Sequence, residues 1–375
     1  MIIVMIAEFL LYVSFSLLAG GLIFYIIPSS NWPVVNIPNR LIRICPLAIT
    51  ILSFAPLLPI IIGYADDIGL WQSIVTILFT FSLGWNWIFT VILSILLFCL
   101  LKFGHPEKNR PLAIIGLIII IFLITVLSKS GHAAALAGSK GWISHTLHFL
   151  AVSLWIGPLQ IVAWFSKGTS NWQAFTKWFT PFALICVTTI MVSGFITMQV
   201  GLNTYTPENP STANQYLDSW MTNYGQALLI KHLLLIPLFA FAVISSCAIR
   251  WMVSRDTRYN PIRWIRLEAI IGVIIFSVTA YLGQQEPPHR IPGMITVFGP
   301  SPLFDVVYQG AIDPEMSLLL YFSWANYVLF FFAFISLLFI IIMAIRKASL
   351  IVTLAFALVL VVSTYLGLML GVQTL

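Results

Sequence analysis

Along most of this chain, apolar residues do not alternate with polar ones. They run unbroken for about 20 positions and stop at charges, prolines or glycines. A bilayer core is crossed by about 20 apolar residues in a helix. Lipid offers no partner for irregular backbone, so each such run is predicted to be helical. Ten spans follow, near 3–27, 41–63, 84–103, 111–128, 144–165, 178–201, 223–249, 262–283, 318–345 and 350–372. The apolar stretch 70–83, LWQSIVTILFTFSL, is too much to join the third span unbroken and is predicted as a half-helix at the interface. A transmembrane barrel alternates apolar and polar positions and does not fit. The expected fold is an all-α polytopic membrane protein of about ten helices.

Composition agrees with the pattern: 60% of residues are hydrophobic and 8% charged, against roughly 25% charged in soluble domains. The net charge of +6 would suggest nucleic acid in a soluble chain, but here the basic residues lie between spans and act as topology signals, so no nucleic-acid partner is expected. One set of connections carries fourteen: Arg40, Arg43, Lys102, Lys108, Arg110, Lys167, Lys177, Arg250, Arg255, Arg258, Arg263, Arg266, Arg346 and Lys347. The other carries Lys129, Lys140 and Arg290. The positive-inside rule puts the fourteen in the cytoplasm and both termini outside a cytoplasmic (inner) membrane. The first segment has no basic n-region and carries Glu8, which reads as a retained helix. Cys45, Cys99, Cys186 and Cys247 show no CxxC spacing and read as free thiols. There is no P-loop, GxSxG or HExxH, so no enzyme is expected.

The chain also reads as duplicated. AIIG at Ala113 recurs at Ala269, CPLAI around Pro46 parallels TPFAL around Pro181, and FSLG ending at Gly84 parallels TNYG ending at Gly225. The expected division is a first four-helix repeat, 1–128, a second, 129–283, an extracytoplasmic Pro-rich connection, 284–317, and two added C-terminal helices, 318–375. Four spans per unit make the repeats parallel, and the interface of such repeats is a usual place for a site. Aligning them sets Glu8 opposite His145.

Three of the six histidines crowd into SGHAAALAGSKGWISHTLHF. His132 is expected at the outer end of span four, with His145 and His148 at the outer start of span five. Residues three apart share a helix face, and neutral imidazole suits copper, zinc and iron. The ordinary alternative is interfacial histidines hydrated by water and headgroups. Lys231 and His232 lie nine residues into span seven, about 13 Å down at 1.5 Å per residue, where they either serve a pathway or pack against backbone carbonyls. Met191 and Met198, seven apart on span six, are soft ligands suited to Cu(I) or plain core filler. Glu8 can complete a site or orient a ligating imidazole, or it is a solvated acid.

The run SKSGHAAALAGSKGWISHTLHFLAVSLWIGPL resembles the glycine-histidine-alanine turn and histidine helix of the CopD copper resistance and import proteins. FTPFALICVTTIMVSGFI, TNYGQALLIKHLLL and RWIRLEAIIGVIIFSVTAYL follow in the family's order, and the resemblance extends from residue 1 to about 288. It implies an inner-membrane protein that moves copper from the outer side towards the cytoplasm, alongside a small extracytoplasmic copper-binding partner. Position by position, His132 matches the turn histidine, His148 the helix histidine, Lys231 a lysine and Glu268 the acid of the RLE segment. His145 stands where the family commonly has aspartate, and the last two spans have no counterpart in its core. The resulting expectation is copper, Cu(I) or Cu(II), captured by His132, His145 and His148 with Met198 and Glu8, and passed on by His232 along the repeat interface. Two alternatives stay open: a membrane cytochrome with haem on histidines of facing helices, and a factor that delivers copper to a respiratory oxidase.

Overall fold

The computed structural model describes residues 1–167, 170–202, 211–255, 261–288, 291–346 and 349–374. Arg258, Arg290 and Lys347 of the charge count lie outside them, as do the side chains of Cys247, Arg250 and Arg346. In chain order the elements are α1 Ile2–Ile26, α2 Asn39–Leu52, α3 Leu57–Ile68, α4 Leu70–Thr80, α5 Ser82–Phe103, α6 Arg110–Lys129, α7 His132–Phe165, α8 Trp172–Leu202 and α9 Thr212–Asp218. Then follow α10 Asn223–Val243, a π turn at Ile244–Ile249, α11 Arg250–Arg255, α12 Ile262–Leu282, α13 Ile291–Phe298, α14 Pro302–Val307, β1 Leu318–Leu320, α15 Trp324–Arg346, α16 Leu350–Met369 and β2 Val372–Thr374.

Among the described residues ten helices are long and apolar enough to cross a membrane, so the protein is a multi-pass helical membrane protein. The second span, Asn39–Ile68, is interrupted between α2 and α3 by turns at residues 53–56. The half-helix expected at 70–83 is α4. It is set off from α3 by Gly69 at φ 82°, a left-handed conformation that glycine adopts without cost.

Three expectations need correction. A short helical stretch, 132–136, precedes a kink at Ala137 and Gly138, and the body of span five runs on from Ser139, ahead of its expected start at 144. His132 therefore opens α7 and does not end α6. Span nine starts at Trp324, because Leu318–Leu320 is extended and pairs antiparallel with Val372–Thr374. Leu318–Leu320 is wholly apolar, which a hydropathy reading takes for helix.

The chain packs as two compact units, residues 1–200 with 252–262, and residues 201–251 with 263–375. In the first, α1 is the central helix and packs against α2, α6 and α7. Phe15, Leu18, Leu22, Ile42, Ile49, Leu97, Ile120 and Leu123 form its buried core. Asn109 caps α6 by accepting from the Leu112 amide at 3.4 Å, which satisfies one of the free donors at a helix start.

In the second unit α10 packs against the α15–α16 hairpin. That hairpin is tied by Asn326 Nδ2 donating to the Gly367 carbonyl at 2.9 Å. Trp220, Met221, Leu229, Ile291, Phe304, Leu318, Met369 and Val372 share one apolar cluster, so α9, α13, α14 and the small sheet cover the start of α10. The Leu318 amide donates to Asp218 at 2.7 Å. Tyr365 donates to Gln226 Oε1 at 2.6 Å, and Gln226 Nε2 donates to the Trp220 carbonyl at 2.6 Å. Burial raises the Asp218 carboxyl above its ordinary value, against the opposing effect of the Leu318 amide.

Candidate metal site at the start of helix α7

The segment between α6 and the body of α7 is built around glycines. Gly131 precedes α7, and the helix breaks at Ala137 and Gly138, the latter at φ 53° and ψ −129°. An added Cβ at Gly138 meets nothing within 4 Å. Glycine is needed there for its backbone angles rather than for space, since side-chain-bearing residues rarely occupy that region. Gly141 is needed for space: a Cβ there would run into the Ala133 carbonyl. The turn thus folds back on α7 and brings Gly131 against His145, where an added Cβ would lie 3.0 Å from the imidazole Nδ1. Trp142 Nε1 donates to the Thr125 carbonyl at 2.8 Å, fastening the start of α7 to the end of α6.

One turn further on, His148 meets α8. Its Nδ1 lies 3.2 Å from the Ile190 carbonyl and 3.4 Å from Ser193 Oγ, and Gly194 leaves room for the ring. A carbonyl accepts only, so the contact places the proton on Nδ1 and makes Nε2 the basic nitrogen of the neutral ring. Thr197 Oγ1 donates to Ser144 Oγ at 3.2 Å on the same helix pair.

Helix α1 carries Glu8, the acid expected opposite His145. Gly20 and Gly157 meet backbone to backbone, and Tyr12 packs edge-on to Phe149 at 5.4 Å between centroids. Small residues allow such close approach of membrane helices. Both pairs are 137 residues apart in sequence, so α1 and α7 run parallel in constant register, and the same offset carries Glu8 to His145. Glu8, His145 and His148 are each half-buried, while His132 is exposed at the start of the turn.

The methionines separate. Met198 follows Thr197 and is half-buried, whereas Met191 is 49% exposed, about 100° round the helix from the His148-facing Ile190. In the second unit, His232 Nδ1 is 2.8 Å from the Tyr216 hydroxyl, with the two rings 5.5 Å apart. Lys231 beside it is half-buried, and among the described residues no acid lies in ion-pair reach of it. Glu268 is 2% exposed and accepts from Ser245 Oγ, a residue of the π turn. Single π turns inside helices frequently accompany functional sites. Cys45 and Cys186 are buried free thiols and Cys99 an exposed one.

Among the described residues no three His, Cys, Asp or Glu side chains are gathered into one ligand group. His145 lies against Gly131 of the turn, and His148 lies against Ile190 and Ser193 of α8. The sequence did not signal Tyr216, Ser193 or Ser245. Hydroxyls near histidines and acids in three dimensions leave no spacing in the chain.

Residues 1–142 match the family described as copper resistance protein D-like, N-terminal domain, and residues 173–282 match copper resistance protein D. Comparison with curated proteins and with solved structures gave no match. The first match takes in the kinked start of α7, the second begins in α8, and together they take in most of the chain, which belongs to the CopD family of copper resistance membrane proteins.

Proposed function

We propose that the protein takes up copper from the extracytoplasmic side and conducts it across the cytoplasmic membrane, with both termini outside. The observation that carries this reading is the register of α1 on α7, which sets Glu8 level with His145 one turn above His148. His148 Nε2 and the His145 ring supply borderline donors to the ion, His132 on the adjoining turn is the exposed first contact, and Met198 adds a soft thioether. Glu8 offsets the cation's charge or orients an imidazole. His232, with Tyr216, is a further station, and Lys231 and Glu268 are polar groups of the pathway. Met191, exposed to the helix surface, has a lesser part. A small extracytoplasmic copper-binding protein is the proposed donor.

The charge bias of the connections supports the orientation. The duplication reading, 1–128 and 129–283 as parallel repeats followed by the 284–317 connection and the 318–375 hairpin, is supported by α1 and α7, the first long helix of each repeat, running parallel. The test is the metal content of detergent-purified protein after copper loading, measured by mass spectrometry. His132→Ala with His148→Ala is expected to lose most tightly bound copper while the unfolding midpoint holds. Unchanged copper in that double variant would place the port elsewhere. Uptake into vesicles of defined protein orientation then reads the direction.

A further inference from the structure

A cavity of about 510 Å³ opens in the first unit where α1 ends and α6 begins. One wall is apolar: Phe24, Ile27 and Trp32, from the last turn of α1 and the connection after it. The other is polar: Asn36, Asn39 and Arg110. Internal bonds already occupy several groups of the polar wall. Tyr25 donates to Asn39 Oδ1 at 2.7 Å, leaving the Asn39 amide nitrogen as a donor. Glu107, the one carboxylate of the lining, is held by Arg43 at 3.0 Å and by His105 at 3.2 Å. Arg110 is exposed at the rim, and among the described residues it makes no ion pair. What remains on the polar side is net positive and rich in N–H donors.

The cavity also sits at a defined depth. Ile26 closes one candidate span and Arg110 opens another, so it lies at the headgroup level of the bilayer, on the face that carries most of the basic residues. Basic pockets between helices at that level suit phospholipid headgroups, and arginine binds phosphate oxygens through a charge-assisted fork. We propose that the cavity binds an anionic phospholipid, with the phosphodiester on Arg110 and the Asn39 amide and the first part of an acyl chain along Phe24, Ile27 and Trp32. A free phosphate shares the polar contacts but gains nothing from the apolar wall.

The test uses the full chain, purified in detergent, exchanged with equal phosphatidylglycerol and phosphatidylcholine, and read by native mass spectrometry. Wild type is expected to retain phosphatidylglycerol preferentially. Arg110→Gln is expected to lower that preference about tenfold, the effect of one charge-assisted contact set. Arg110→Lys is expected to keep part of it, and Lys108→Gln, in the same connection but outside the cavity, to keep all of it. Equal retention of the two lipids by wild type, or an unchanged preference in Arg110→Gln, overturns the proposal. So does displacement of the lipid by millimolar inorganic phosphate, which would mark a free-anion site.

Discussion

At the scale of single residues, glycines do more to build the first unit than any charged group. Gly20 and Gly157 let α1 and α7 touch through their backbones, and a Cβ at Gly157 would collide with the Ser16 carbonyl. Overfilling a packed contact typically costs about 1–3 kcal/mol. Gly157→Val is therefore expected to lower the thermal midpoint of the purified protein by several degrees and to weaken copper retention together with it, because the proposed port depends on the register of α1 on α7. A midpoint equal to wild type in a thermal shift assay would show that the helices meet elsewhere. His148 illustrates the converse case. Its type was visible in the sequence, but the Ile190 carbonyl that fixes its tautomer comes from another helix, 42 residues away in the chain.

At the scale of elements, the connections decide more than the spans do. The turn ahead of the body of α7 is helical in composition, and only Gly138 at positive φ lets it double back. The α5–α6 connection is pinned to α2 by Glu107 and Arg43. Burial raises the Glu107 carboxyl, but hydrogen bonds from its own backbone amide and from His105, with the charge of Arg43, outweigh that and hold it below its ordinary value of 4.5. A depressed carboxyl contributes stability above its unfolded value and loses it as pH falls through the folded one. The wild-type midpoint is expected to decline as pH drops below about 4.5, and Glu107→Gln to decline less over that window. Parallel profiles for the two proteins in a pH series would show that the pair does not contribute.

At the scale of the whole molecule, the proposed orientation makes a direct prediction. In a cysteine-free background, a cysteine at Lys140 is expected to react with a membrane-impermeant maleimide in intact cells, and one at Lys108 only after permeabilisation. The reverse pattern would invert the topology and remove the case for capture from outside. Ten spans and the half-helix at Leu70–Thr80, though not the starts of spans five and nine, were legible in the sequence, because runs of about 20 apolar residues permit little besides a helix in lipid. The family was legible too, through ordered motifs. The strand pairing of Leu318–Leu320 with Val372–Thr374 was not, since three-residue stretches carry no mark of which partner will satisfy their backbone. Nor were the register of α1 on α7 and the joining of His132 to α7. The sequence alone determined which stretches are long and apolar enough to cross a membrane and where side chains able to bind metal lie along the chain, as both are local properties of composition and motif. Which of those residues meet depended on close backbone contacts between helices far apart in the chain, and only the tertiary structure decided that.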